Sequence, residues 1–191
     1  SGRSSQRPVS PTTCKLQGIA LVPVGMVHEE SLAILRERLP KKFLGASCRI
    51  AKMHISLEES HNPRSGQYYA STILAALERR AEGVEEERVL GVTDLDLYVP
   101  NMNFVFGEAR MPGRAAIIST HRLRENTRYG GEQLFPERLI KEAVHELGHT
   151  LGLGHCRTPS CVMCFSNSLA DTDRKGQDYC ENCLKKLRGD R

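Results

Sequence analysis

The stretch HELGHTLGLGHC, residues His145 to Cys156, places three histidines, a glutamate and a cysteine in otherwise small or aliphatic chain. Histidines four apart on a helix stand one above the other on one face, so His145 and His149 can offer both imidazoles to one ion. Glu146 follows the first histidine, which sets its carboxylate beside that ion, free to hold a water instead of ligating the metal. Gly152 comes one turn later, where a left-handed backbone ends a helix at low steric cost. The reversed chain then returns His155 as a third nitrogen ligand. Three protein ligands leave one tetrahedral position to water, the arrangement of a catalytic zinc. Zinc lowers the pKa of such a water to about 7, and Glu146 would take its proton during attack on a carbonyl and pass it to the leaving amine. The motif predicts metal-assisted hydrolysis of an amide with Glu146 as general base.

Working outward, Pro136 opens the helix that carries this motif, where its missing N–H costs nothing, and Ile140, Val144, Leu147 and Leu151 form the core stripe. Upstream, QGIALVPVG (17–25) reads as a buried strand, EESLAILRERL (29–39) as a helix and SCRIAKMHISL (47–57) as a strand. GQYYASTILAALERRAE (66–82) reads as one long helix, and VLGVTDLDLYV (89–99), NFVFGEA (103–109) and AAIIST (115–120) as strands. About five strands with early helices and late hairpin-like connections predict an α/β (α+β) fold with a mixed sheet. The polar stretch 121–133, with its double glycine, reads as a surface loop.

The second constellation is cysteine. Of seven cysteines, Cys156, Cys161, Cys164, Cys180 and Cys183 crowd into the carboxy-terminal part. Four thiolates in two close pairs are the ligand set of a closed, structural zinc, and five candidates compete for the four positions. A ribbon reading takes Cys161, Cys164, Cys180 and Cys183; the other replaces Cys164 with Cys156. His155 and Cys156 are adjacent, so in extended chain their side chains diverge and can serve two different ions. His28, His54, His61 and His121 lack ligand spacing and read as structural or surface histidines.

Composition bounds the rest. A chain of 191 residues can bury a real core, and a formal charge of +4 spread among nearly balanced acids and bases gives no nucleic-acid footprint. Tryptophan is absent and aromatics are scarce, so no stacking platform for single strands is visible. No run reaches the ~18 apolar residues of a membrane span, and the first residues lack the apolar centre of a secretory signal. The expectation is a cytoplasmic monomer with no nucleic-acid or membrane partner. Its first 15 residues read as a flexible tail, in which Cys14 is a remote candidate for a latency thiol. Residues 16–152 read as a sheet-and-helix part, and 153–191 as a small part carrying the third histidine and the cysteines.

The chain resembles the archaemetzincins, a family of metzincin-type metallopeptidases. Their pattern is HExxHxxGxxH followed at once by cysteine, then a second cysteine, a methionine two beyond it, and a C-x-x-C. His145, Glu146, His149, Gly152, His155, Cys156, Cys161, Met163, Cys180 and Cys183 all fall on it, within about the last quarter of the chain. The resemblance implies two zinc ions per chain: a catalytic one on His145, His149 and His155, and a structural one on Cys156, Cys161, Cys180 and Cys183. Cys164 lies outside the family pattern. Met163 would be the Met-turn methionine, an apolar floor under the catalytic zinc, and the fold would be a metzincin-like five-stranded mixed sheet with the cleft below it. The resemblance further suggests that the strand holding Asn103, Phe104, Val105, Phe106 and Gly107 is the sheet edge that takes a peptide or small-protein substrate. Two rival functions remain: a zinc-stabilised peptide-binding or regulatory protein with little turnover, and a zinc-ribbon nucleic-acid module. An intact Glu146 favours the enzyme over the binder, and the ribbon module leaves the histidine motif without a purpose.

Overall fold

A computed structural model describes residues 16–189; the expected tail, with Cys14, lies outside the described residues. In chain order the elements are β1 (Gly18–Pro23), α1 (Glu29–Lys42), β2 (Ser47–Ile50), β3 (His61–Asn62), β4 (Gln67–Tyr69), α2 (Ala70–Ala81) and β5 (Arg88–Thr93). They continue with β6 (Leu97–Val99), β7 (Met102–Val105), β8 (Gly107–Ala109), β9 (Ala115–Ser119), α3 (Phe135–Thr150), α4 (Leu169–Arg174) and α5 (Glu181–Arg188).

The main sheet has five strands in the order β2-β1-β5-β9-β8, parallel except for β8, which runs antiparallel to β9 at one edge. Its central strands are apolar on both sides because both faces are covered. The period of two is visible in the core: Ile19, Leu21, Leu90, Val92, Ala116 and Ile118 face α1 and α3. Their neighbours Ala20, Val22, Val89, Ala115 and Ile117 face α2. Gly91 lets α2 come close, since a Cβ there would lie 2.6 Å from Leu77 Cδ1.

A second sheet, β3-β4-β6-β7, has no counterpart in the sequence reading. The long helix expected from Gly66 begins only at Ala70, because Tyr68 and Tyr69 pair with Leu97 and Tyr98 of β6. Adjacent aromatics suit an extended strand surface, and the Tyr69 and Tyr98 rings sit 5.6 Å apart. The run 89–99 likewise divides into β5 and β6, one in each sheet. Asn101, at φ 67°, turns the chain between β6 and β7; the short polar side chain of Asn tolerates this region. The strand expected over 47–57 keeps only Ser47–Ile50, which pair with Gly18–Leu21 of β1.

Helix α3 crosses one face of the main sheet. It is buried on its polar side too, because residues 161–183 fold beneath it: Lys141 Nζ donates to Thr172 O at 3.0 Å and Tyr179 Oη to Val144 O at 2.8 Å. The deepest tie is Arg138 with Asp173, whose side chains are 0% and 3% exposed. Arg138 donates to both Asp173 oxygens at 2.6 and 2.7 Å, and to the carbonyls of Leu123 and Glu125 at 2.8 and 2.7 Å. The stretch 121–133 therefore runs over the surface but is pinned from below. Leaving one member of such a pair buried alone costs about 3–5 kcal/mol, so Asp173→Ala should lower unfolding free energy by that order in urea titration. Glu37→Ala, which removes the exposed Lys41 pair, should change it by less than about 1 kcal/mol. Similar losses in the two variants would contradict this account of how the loop is held.

Candidate active site and metal centres

The end of α3 sets the histidine geometry. Gly152 adopts φ 95°, its N–H reaches His149 O at 2.9 Å, and Leu153 N–H reaches Gly148 O at 3.0 Å. This pair of bonds around a left-handed residue is a Schellman stop, which closes the helix and sends the chain back toward its own last turn. His155 thereby joins His145 and His149, and one nitrogen from each lies within 4.8 Å of the others.

Two carbonyls orient the rings. His145 Nδ1 lies 2.7 Å from Val162 O and His149 Nδ1 2.7 Å from Leu153 O. A carbonyl only accepts, so Nδ1 carries the proton on both rings and Nε2 is left as the ligand atom. The two Nε2 atoms are 3.1 Å apart. Zinc–nitrogen bonds of about 2.0–2.1 Å place two tetrahedral ligands roughly 3.3–3.4 Å apart, so the histidine set fits zinc. Phe165 packs on His155 with ring centroids 5.0 Å apart.

Glu146 is 5% exposed and sits beside β8. A Cβ on Gly107 would lie 2.9 Å from Glu146 Cγ, 3.0 Å from its Oε1 and 2.5 Å from Ile117 O, so glycine there makes the notch that the carboxylate occupies. Burial pushes the Glu146 carboxyl well above the ordinary range; the nearby charges of Glu142 and Glu108 add to that and Lys175 opposes it. On the other side of α3, a Cβ on Gly148 would meet Met163 Sδ at 2.5 Å. Gly148, the first glycine of the stretch, thus lets the fully buried Met163 press against the helix.

The cysteines form a separate centre. Cys156, Cys161, Cys180 and Cys183 bring their sulfurs within 4.8 Å of one another, and Cys164 is not among them. The Cys156–Cys180 and Cys161–Cys183 sulfurs are 3.7 and 3.8 Å apart. That is far beyond a disulfide at about 2.05 Å and matches the edge, about 3.8 Å, of a tetrahedron with zinc–sulfur bonds near 2.3 Å. Backbone N–H groups of Thr158, Met163 and Cys180 point at the Cys156 and Cys161 sulfurs at 3.4 Å. Burial and the neighbouring Cys161 push the Cys183 thiol up, as burial does for Cys161. Cys156, despite partial burial, is drawn down to about 7 by N–H and neighbouring thiol bonds. As thiolates, four sulfurs at this spacing would need a cation among them, and the set could hold a zinc. Cys156 N–H also bonds Met163 O at 3.0 Å, which ties the cysteine cluster to the methionine packed against Gly148 of α3.

A model of peptidase family M54 matches residues 36–189. Archaemetzincin of Methanocaldococcus jannaschii is 43% identical over 173 residues, covering 88% of this chain and 92% of that protein. The chain belongs to peptidase family M54, the archaemetzincins. It is a zinc metallopeptidase. The crystal structure of the archaemetzincin from Methanopyrus kandleri superposes with a TM-score of 0.76 at 38% identity, covering 91% of this chain and 94% of that one. A zinc-dependent peptidase from Methanocorpusculum labreanum superposes at 0.74 with 28% identity, over 89% of this chain and 100% of that one. The archaemetzincin likeness extends far upstream of the motif that first carried it. Among the described residues no helix is long and apolar enough to cross a membrane.

A cleft of about 480 Å³ opens onto the histidines. The stretch expected as one substrate strand, Asn103 to Gly107, is divided: Asn103, Phe104 and Val105 belong to β7, Phe106 joins the two sheets, and Gly107 begins β8 at the edge of the main sheet. Phe104, Val105, Phe106 and Gly107 line the cleft.

Three cleft residues carry no individual role in the sequence, although Glu108 lies within the strand expected over 103–109. Glu142, buried, accepts from Thr172 Oγ1 at 3.1 Å, and burial raises its carboxyl. Lys175, also buried, donates to Cys164 O at 3.0 Å and lies 3.4 Å from His145 Nδ1. Glu108 accepts from Ser71 at the mouth of the cleft. Only Glu142 leaves a local trace, standing four residues before Glu146 on the helix.

Proposed function

We propose that this peptidase cleaves peptide bonds at the His145, His149 and His155 centre with Glu146 as general base, and that Cys156, Cys161, Cys180 and Cys183 hold a second, structural zinc. The observation that carries the reading is the company Glu146 keeps: a buried carboxylate in the Gly107 notch, between two oriented histidines and an open strand edge. Zinc in the histidine centre supplies Lewis acidity to a carbonyl and brings the pKa of a water near neutrality.

The chain's own residues do the rest. Gly107 and Ala109 offer backbone groups to an extended substrate and hold its carbonyl over the histidines. Glu146 takes the proton of the attacking water and delivers it to the leaving nitrogen. His145 and His149 stay in one tautomer because Val162 O and Leu153 O accept from Nδ1. Gly148 and Met163 fix the floor on which this happens.

The test is digestion of a random peptide library by zinc-loaded protein, read by mass spectrometry. New termini that depend on added zinc and vanish with chelator support the reading. A library left intact under those conditions, with zinc shown to be bound, counts against hydrolysis and favours a peptide-binding role.

A further inference from the structure

Strand β8 is short, yet its hydrogen bonding defines what a substrate meets. Ser119 N–H donates to Phe106 O at 2.8 Å and Arg110 N–H to Ala115 O at 3.1 Å, with Glu108 opposite Ile117 between them. In an antiparallel ladder such pairs alternate, so Phe106, Glu108 and Arg110 direct their backbone groups at β9. Gly107 and Ala109 direct theirs outward, to the cleft.

Side chains alternate as well. Gly107 faces α3 and Glu146, so Glu108 faces the opposite side, where Ser71 Oγ of α2 lies 2.8 and 2.9 Å from its two carboxylate oxygens. An extended peptide added to this edge has its residue beside Gly107 on the Glu146 face. Its next residue, opposite Glu108, has its side chain on the Glu108 face.

We propose that Glu108 makes this peptidase selective for substrates with a lysine or arginine side chain immediately beside the scissile bond. The proposal rests on the hydrolytic reading above and adds a substrate class to it. Three carboxylates line the cleft. Glu146 attends the histidines, and Glu142 has Thr172 with the charges of Lys141 and Lys175 near it. Glu108 has Ser71 alone: among the described residues no lysine or arginine is ion-paired with it, and Arg110 on its own strand acts only at a distance. Half-buried, it carries a carboxyl raised mainly by desolvation, which a substrate cation would relieve. Val99, Pro100 and Met102 line the same cleft and would cover the aliphatic stem of a long basic side chain. A free α-amino group lies in the line of the peptide backbone and not on the side-chain face, so the side chain is the source of the cation.

The experiment uses zinc-loaded full chain and N-acetylated, C-amidated peptides with lysine, norleucine or glutamate at either position flanking the cleaved bond. The lysine peptide should exceed its norleucine twin in kcat/KM by about tenfold or more, mostly through KM, as expected for a bond to a charged group. Glu108→Gln, which keeps shape and the Ser71 contact, should bring the ratio toward one, and Glu108→Lys should turn the preference toward glutamate; zinc content and melting check that both variants fold. Equal rates for lysine and norleucine in the wild type, an undiminished ratio in Glu108→Gln, or preference for a free amino terminus regardless of side chain would each overturn the proposal. Should the wild type cleave none of the peptides, the hydrolytic reading fails separately. Anisotropy binding of the same peptides then decides for Glu108: lysine-selective binding lost in Glu108→Gln upholds it, and unselective or absent binding rejects it.

Discussion

Glu146→Gln should lower peptide turnover by about 10²–10⁴-fold, the usual contribution of a positioned general base, with zinc content equal to wild type. The amide has the shape of the carboxylate and fits the Gly107 notch, so helix, histidines and strand edge stay as they are. It has no charge and cannot accept the proton. Because Glu146 is buried, no solvent-borne group can easily take its place. Paired initial-rate and metal measurements on the two proteins check this. Equal slow cleavage by both would show that Glu146 is not the base, and the peptide-binding reading would then account for the site better.

The second large effect is expected at the cysteines. Cys156→Ser should strip zinc from the carboxy-terminal centre and lower the melting temperature sharply, since a structural zinc contributes on the order of 10–16 kcal/mol of apparent binding energy in small zinc domains. The damage should reach the histidines, because Cys156 N–H bonds Met163 O and its neighbour is His155. Cys164→Ser should change stability by no more than about 0.5–1 kcal/mol, as its sulfur is outside the cluster. Zinc loss in Cys164→Ser with retention in Cys156→Ser would instead support a ribbon of two C-x-x-C pairs.

These two centres differ in how far they are legible in the sequence. His145, His149 and His155 sit on one helical turn and its glycine stop, so covalent proximity alone brings them together. Spacing treats Cys156 and Cys164 alike; what separates them is the turn through Val162 and Met163, whose contacts with α3 are tertiary. Lys175 reaches His145 only because residues 161–183 fold under α3, and no local pattern marks it. The second sheet is hidden for a simpler reason: its strands have two to four residues, too few for a period to show. The junction at Phe106, where one apolar run serves two sheets, is hidden in the same way. Glu108 reads as one polar residue in a strand until its register against β9 shows which face it takes.

An open histidine centre that works and a closed cysteine centre that holds the fold should part company under a mild chelator, seen by counting zinc per chain before and after dialysis with cleavage assayed alongside. A three-ligand site leaves a position for the chelator, and a four-thiolate site does not. Two ions should fall to one, with activity lost, melting temperature little changed, and activity restored by added zinc. Departure of both ions together with unfolding, or full activity with one ion gone, would contradict this.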